Sequence, residues 1–271
     1  MRTLFTTVIL ATTFILITNT QIQARTQQVT WQTQNLPQLV NDNSITEINF
    51  QSVPFLETEH LTIQNRTQPL ILNFNDNRAL FTIDATDANL TVNDGIFWGG
   101  THFDSRPWIL SKGKLTINNS TFETNPQTPV IFKGTQLNIN HTTFENNITW
   151  NNQRGGALNI ESGEVQIRDS QFLNNWSSRG GAINIQGDTT FFIYNSTFRH
   201  NHSHTGTEFD QAGRGGAIYI ERTTTSGSII NSTFEFNSSE RTQPSVTPDT
   251  AHLLGNVFRQ NFENPHLRWV S

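Results

Sequence analysis

Six F-x-x-N phrases return along this chain, each at a fixed distance behind an apolar residue, and few folds accommodate that pattern. They run Phe122 to Asn125, Phe144 to Asn147, Phe172 to Asn175, Phe198 to Asn201, Phe234 to Asn237 and Phe258 to Asn261. The Phe-to-Phe spacings are 22, 28, 26, 36 and 24 residues. A degenerate copy ends in Phe97-Trp98-Gly99-Gly100. Five residues before each Phe stand Val92, Ile117, Ile139, Ile167, Ile193, Ile229 and Leu253. Two residues before these, in most copies, come Leu90, Leu115, Leu137, Val165 and Phe191. Apolar residues two apart mark a strand with one buried face.

A second short alternation lies further upstream: Trp108 and Leu110, Val130 and Phe132, Leu158 and Ile160, Ile183 and Ile185, Ile218 and Ile220. Three of these strands follow an identical tetrapeptide, at Arg154-Gly155-Gly156-Ala157, Arg179-Gly180-Gly181-Ala182 and Arg214-Gly215-Gly216-Ala217. Strands this short cannot bury an apolar face alone. Stacking the units does so and gives a continuous core. The pattern predicts an all-β, right-handed parallel β-helix of about eight coils, with strands ~4.8 Å apart. Phe122, Phe144, Phe172, Phe198, Phe234 and Phe258 are then expected to form one internal stack. Asn125, Asn147, Asn175, Asn201, Asn237 and Asn261 are expected to form an amide ladder, because an amide both donates and accepts. The same Asn residues are expected to take the left-handed conformation at the corner.

Composition supports this reading. The chain holds 38 Thr, 31 Asn and 20 Phe but no Cys, and only 14% of it is charged. Thr, Asn and Phe are poor helix formers, which disfavours a bundle. Absence of Cys excludes a disulfide scaffold and Cys-ligated metal sites. An Asn-rich low-complexity polymer would scatter its Phe residues; here they fall at fixed offsets.

Alternating GGA[ILV] and F-x-x-N motifs resemble the polymorphic outer membrane proteins of chlamydiae. The matching residues are Gly155-Gly156-Ala157-Leu158, Gly180-Gly181-Ala182-Ile183 and Gly215-Gly216-Ala217-Ile218, with the six F-x-x-N phrases. The resemblance implies a surface-exposed, autotransported and often adhesive passenger on the outer membrane.

The start of the chain reads as a secretory signal over 1–24: a basic Arg2, an apolar run from Leu4 to Ile17, and small Ala24. An N-terminal cap is expected over 25–44, the β-helix over 45–263 and a closing tail over 264–271. No second hydrophobic span follows, so a secreted or cell-surface protein is expected. Without Arg2 the chain has 16 basic and 22 acidic residues, 17 less one against 22. That balance disfavours nucleic acid and leaves a host or neighbouring cell-surface protein or glycan as the expected partner.

Binding candidates are the in-register arginines Arg154, Arg179 and Arg214, whose guanidinium groups could hold carboxylate or sulfate. Local acids such as Glu161 or Glu221 could equally take them. Trp98, Trp108, Trp150 and Trp176 lie near turns, either buried at corners or exposed as contact rings; Trp150 and Trp176 are the binding candidates among them. His200, His202 and His204 alternate, and on an extended segment they would share a face able to hold a metal; a solvated insertion is the competing reading. No cofactor is expected. The alternative function is a carbohydrate-active lyase or hydrolase. That chemistry needs converging carboxylates, whereas Asp84, Asp87 and Asp94 read as turn residues and the other acids are scattered. Eleven N-x-S/T sequons are present, but Asn147, Asn175, Asn201 and Asn237 are expected to be buried.

Overall fold

The computed structural model describes residues 25–29, 35–52, 60–79, 81–99, 106–149, 153–204, 213–220, 225–240, 251–254 and 257–259. The expected leader at 1–24 and closing tail at 264–271, with Trp150 and Asn261, lie outside them. Apart from one four-residue helix, Leu36–Leu39, the described elements are strands, and their pairings are parallel. Among the described residues no helix is long and apolar enough to cross a membrane.

The chain winds as a parallel β-helix. In one ladder Lys114–Asn118, Gln136–Asn140, Gly163–Arg168, Thr189–Tyr194 and Ser226–Ile230 stack in order. Their register puts Ile117, Ile139, Ile167, Ile193 and Ile229 in one internal row. After a corner, Thr121–Glu123, Thr143–Glu145, Gln171–Leu173, Thr197–Arg199 and Thr233–Glu235 form the Phe ladder. A seven-stranded sheet, including Leu158–Ile160, Ile183–Ile185 and Ile218–Ile220, makes the second wall. A narrow third sheet stacks Trp176–Ser177, His202–Ser203 and Ser238–Ser239.

About six regular turns repeat this order, not eight. The shortfall has a geometric cause at both ends. Leu70–Arg78 meets its neighbour with a register shift between Asn73 and Asn77. At the far end Ala251–Leu254 and Val257–Arg259 extend only the first sheet. The expected pairing of Trp108 and Leu110 is also off by one residue. The strand is Ile109–Ser111, and Ile109 stands in register with Val130. A run of three apolar side chains carries no alternation to fix the register, and the Trp108 ring has another partner, given below.

The Phe rings stack face to face. Successive centroids from Phe97 through Phe122, Phe144, Phe172 and Phe198 to Phe234 are 4.5, 4.9, 5.0, 4.8 and 4.7 Å apart. This is the strand spacing imposed on identical side chains. Phe258 is in register with Phe234.

The Asn ladder is fully bonded. Nδ2 of Asn125, Asn147, Asn175 and Asn201 donates to Oδ1 of the Asn one coil on, at 2.6, 2.8, 3.0 and 2.9 Å. The backbone N–H of each donates to that same oxygen. The second amide hydrogen reaches back to a Phe carbonyl, as from Asn147 to Phe122 and from Asn175 to Phe144, both at 3.0 Å. One side chain thus satisfies main-chain and side-chain groups on three coils, which neither Asp nor Leu could do. Asn125 is the first Asn of the ladder. Trp108 Nε1 donates to Asn125 Oδ1 and closes the ladder.

The ladder Asn residues do not turn the corner. The residue before each does: Thr124, Asn146, Asn174, His200 and Phe236 have φ of 56, 55, 53, 55 and 56°. The ladder Asn must point inward to bond its neighbours, so the left-handed step falls one position earlier. A β-branched residue is badly suited to that conformation. Thr124 is exposed; Thr124→Asn, matching Asn146 and Asn174, is expected to raise stability by about 1 kcal/mol, read as a higher Tm.

The glycine pairs have separate roles. Gly155, Gly180 and Gly215 take φ of 69, 61 and 66°. The second glycine is needed for close approach: a Cβ at Gly181 would stand 2.1 Å from the Gly216 carbonyl oxygen. Near the first turn, the largely buried Arg66 guanidinium donates to the carbonyls of Val40, Ile45 and Asp42 at 2.7, 2.5 and 3.0 Å.

Candidate functional site

After Gln171–Leu173, Thr197–Arg199 and Thr233–Glu235 the chain takes its left-handed step, turns inward at the ladder Asn, and emerges on the third sheet. Residues two and four past the Phe therefore flank each ladder Asn on the outer surface. Over three successive coils these are Asn174 and Trp176, His200 and His202, Phe236 and Ser238, and together they line a shallow open depression. The His200 ring stacks on Phe236, with centroids 4.9 Å apart and planes 12° apart. Trp176, 40% exposed, lies 5.0 Å from His202. His202 Nδ1 bonds Ser238 Oγ at 2.8 Å, and its Nε2 stands 3.6 Å from Glu240 Oε1.

The three histidines do not share one face. The left-handed backbone at His200 bends the segment that alternation alone would leave straight. His204 Nε2 instead donates to the Thr149 carbonyl at 3.1 Å. Among the described residues no group of three or more His, Cys, Asp or Glu is placed to hold a metal ion.

Burial lowers the pKa of His202 below the usual imidazole range. Glu240 opposes that shift and His204 adds to it. A His with a depressed folded-state pKa favours its neutral form. Its contribution to stability is complete above the unfolded value of ~6.5 and is lost as pH falls through the lower folded value. Between pH 7 and pH 5 the wild-type chain is therefore expected to lose more Tm than His202→Gln, as followed by circular dichroism.

Arg154, Arg179 and Arg214 stand in register through parallel bridges and are half-buried. The Arg154 guanidinium donates to Gln186 Oε1. Glu161, one candidate acid for it, pairs with Lys133 at 3.0 Å and accepts from Asn159. Glu221 lies outside the described residues. Trp98 is exposed, with the Arg78 guanidinium 5.0 Å over its ring. Asp87 and Asp94 occupy left-handed turn positions, and Asp84 accepts from Thr86.

Two features escaped sequence reasoning. A second Asn ladder runs through Asn49, Asn73, Asn93, Asn118 and Asn140, with amide bonds of 2.6, 2.7, 2.8 and 2.8 Å. Its signal was legible: Asn93, Asn118 and Asn140 each stand four residues before a stacked Phe. The other is a pair of exposed rings, Phe192 and Tyr194, at 45% and 43%. The offset rows had already assigned Phe191 and Ile193 to the buried face, which leaves Phe192 and Tyr194 pointing to water.

Residues 190–221 match the family model of the Chlamydia polymorphic membrane protein repeat. Searches of curated proteins and of solved structures returned no match. The matched span starts on Thr189–Tyr194, passes through Phe198 to Asn201 and the aromatic corner, and ends past Arg214-Gly215-Gly216-Ala217. Its described residues contribute a strand to each of the three sheets. The chain is thus a parallel β-helix whose residues 190–221 are similar to the Chlamydia polymorphic membrane protein repeat.

Proposed function

We propose that this chain is a surface-exposed contact module, adhesive toward a protein or glycan on a host or neighbouring cell. One observation carries the reading. The coil that matches a membrane-protein repeat also presents Phe192, Tyr194, His200 and His202 on its outside, beside exposed Trp176. Rings on a rigid rung offer large contact area at small entropic cost. Arg154, Arg179 and Arg214 form a further register on the same solenoid. Among the described residues no carboxylates converge beside these rings, which supports contact over hydrolysis.

The test is bead adhesion. Beads coated with the purified chain are expected to bind cultured epithelial monolayers saturably, and free chain is expected to compete. Binding no greater than that of beads coated with the heat-unfolded chain would refute the proposal.

A further inference from the structure

The aromatic corner combines two kinds of group that sugars require. Trp176 offers an open ring face. The Asn174 amide and His200 offer polar atoms around it, while His202 and Ser238 bond each other. The Trp176 main chain is tied to the preceding coil through both its groups: its N–H donates to the Asn147 carbonyl and its carbonyl accepts from Thr149, both at 2.8 Å. The next rung is tied to this one, with His202 N–H donating to Asn175 and His204 N–H to Ser177, both at 2.9 Å.

Charge narrows the ligand further. Arg199, next to His200, is neutralised by Glu235 at 2.7 Å. Glu240 lies beside His202, and burial keeps that imidazole neutral near pH 7. Among the described residues the corner therefore has no free cation to attract sialic, uronic or sulfated sugars.

We infer that the depression lined by Asn174, Trp176, His200, His202, Phe236 and Ser238 binds a neutral pyranose, stacked on Trp176 and hydrogen-bonded by the flanking polar groups. This deepens the contact-module reading and rests on it. The depression spans three coils, or roughly 10 Å along the axis, enough to seat the exposed end of a glycan chain.

Saturation-transfer NMR on the full chain tests it, with methyl galactopyranoside, methyl mannopyranoside and, as the anionic probe, sialyllactose. At least one neutral glycoside is expected to show transfer to its ring protons. Trp176→Ala is expected to weaken that binding by roughly tenfold or more, as for an aromatic anchor, while Lys114→Ala, on an exposed position outside the depression, leaves it unchanged. If Trp176→Ala lowers the Tm, Trp176→Phe supplies the test, since it keeps an aromatic face and should retain part of the binding. The inference is overturned by absence of transfer from both neutral glycosides, by equal transfer in the Trp176 variants and wild type, or by stronger transfer to sialyllactose. Bead adhesion that survives enzymatic deglycosylation of the monolayer would overturn the glycan and point to a protein partner. Loss of all bead adhesion, with glycoside binding intact, would instead overturn the contact module.

Discussion

Phe172→Ala is expected to lower the unfolding free energy by about 3–5 kcal/mol, measured by urea denaturation. Phe172 is fully buried, with a parallel ring on each side at 5.0 and 4.8 Å. Truncation leaves a void bounded by two rings that the strand register holds in place. The coils above and below are tied by their own ladders and cannot collapse into it, which places the cost toward the upper end. Stability in a solenoid is close to a sum of unit and neighbour terms. A break at this central stack position should therefore also loosen the coupling between the two halves, seen as a broader transition with a smaller m-value. An unchanged midpoint and slope would mean that the stack is not the core.

The second large effect is expected from Asn175→Asp, at about 3 kcal/mol or more at pH 7. Asn175 Nδ2 donates to Asn201 Oδ1 and to the Phe144 carbonyl, both at 3.0 Å, and Asn175 is fully buried. The substitution turns both donors into an acceptor facing two acceptors. Burial and those oxygens must raise the folded-state pKa of the introduced carboxyl above its unfolded value of ~3.9. A raised pKa means that the variant is least impaired below the unfolded value and loses stability as pH rises through the folded one. Its deficit against wild type should therefore shrink on acidification. Asn175→Leu should show a deficit of similar size that does not change with pH. Parallel pH curves for the two variants would contradict the ladder geometry.

Much of the frame was legible because a strand has a period of two and a solenoid repeats its units. Ile117, Ile139, Ile167 and Ile193 could be aligned by offset alone, and the register agrees. The corners were less legible. The left-handed residue varies in type, from Thr124 to Asn146, His200 and Phe236, so no residue preference marks it. Only the need for the next side chain to point inward selects that position. Trp108 as the end of the ladder was not readable either, because what it caps lies 17 residues away.

The proposed contact surface was partly legible. Trp176, His202 and Ser238 are separated by 26 and 36 residues, the spacings of Phe172, Phe198 and Phe234, so their common offset stacks them. What spacing did not show is that the Trp176 ring stays 40% exposed and lies 5.0 Å from His202. By itself, the sequence determined the architecture and the rows of its core, since apolar periodicity and amide complementarity are local, repeated and nearly free of context. Tertiary structure decided which of the stacked outer side chains stay exposed and which local partners they take, because that depends on where each coil closes.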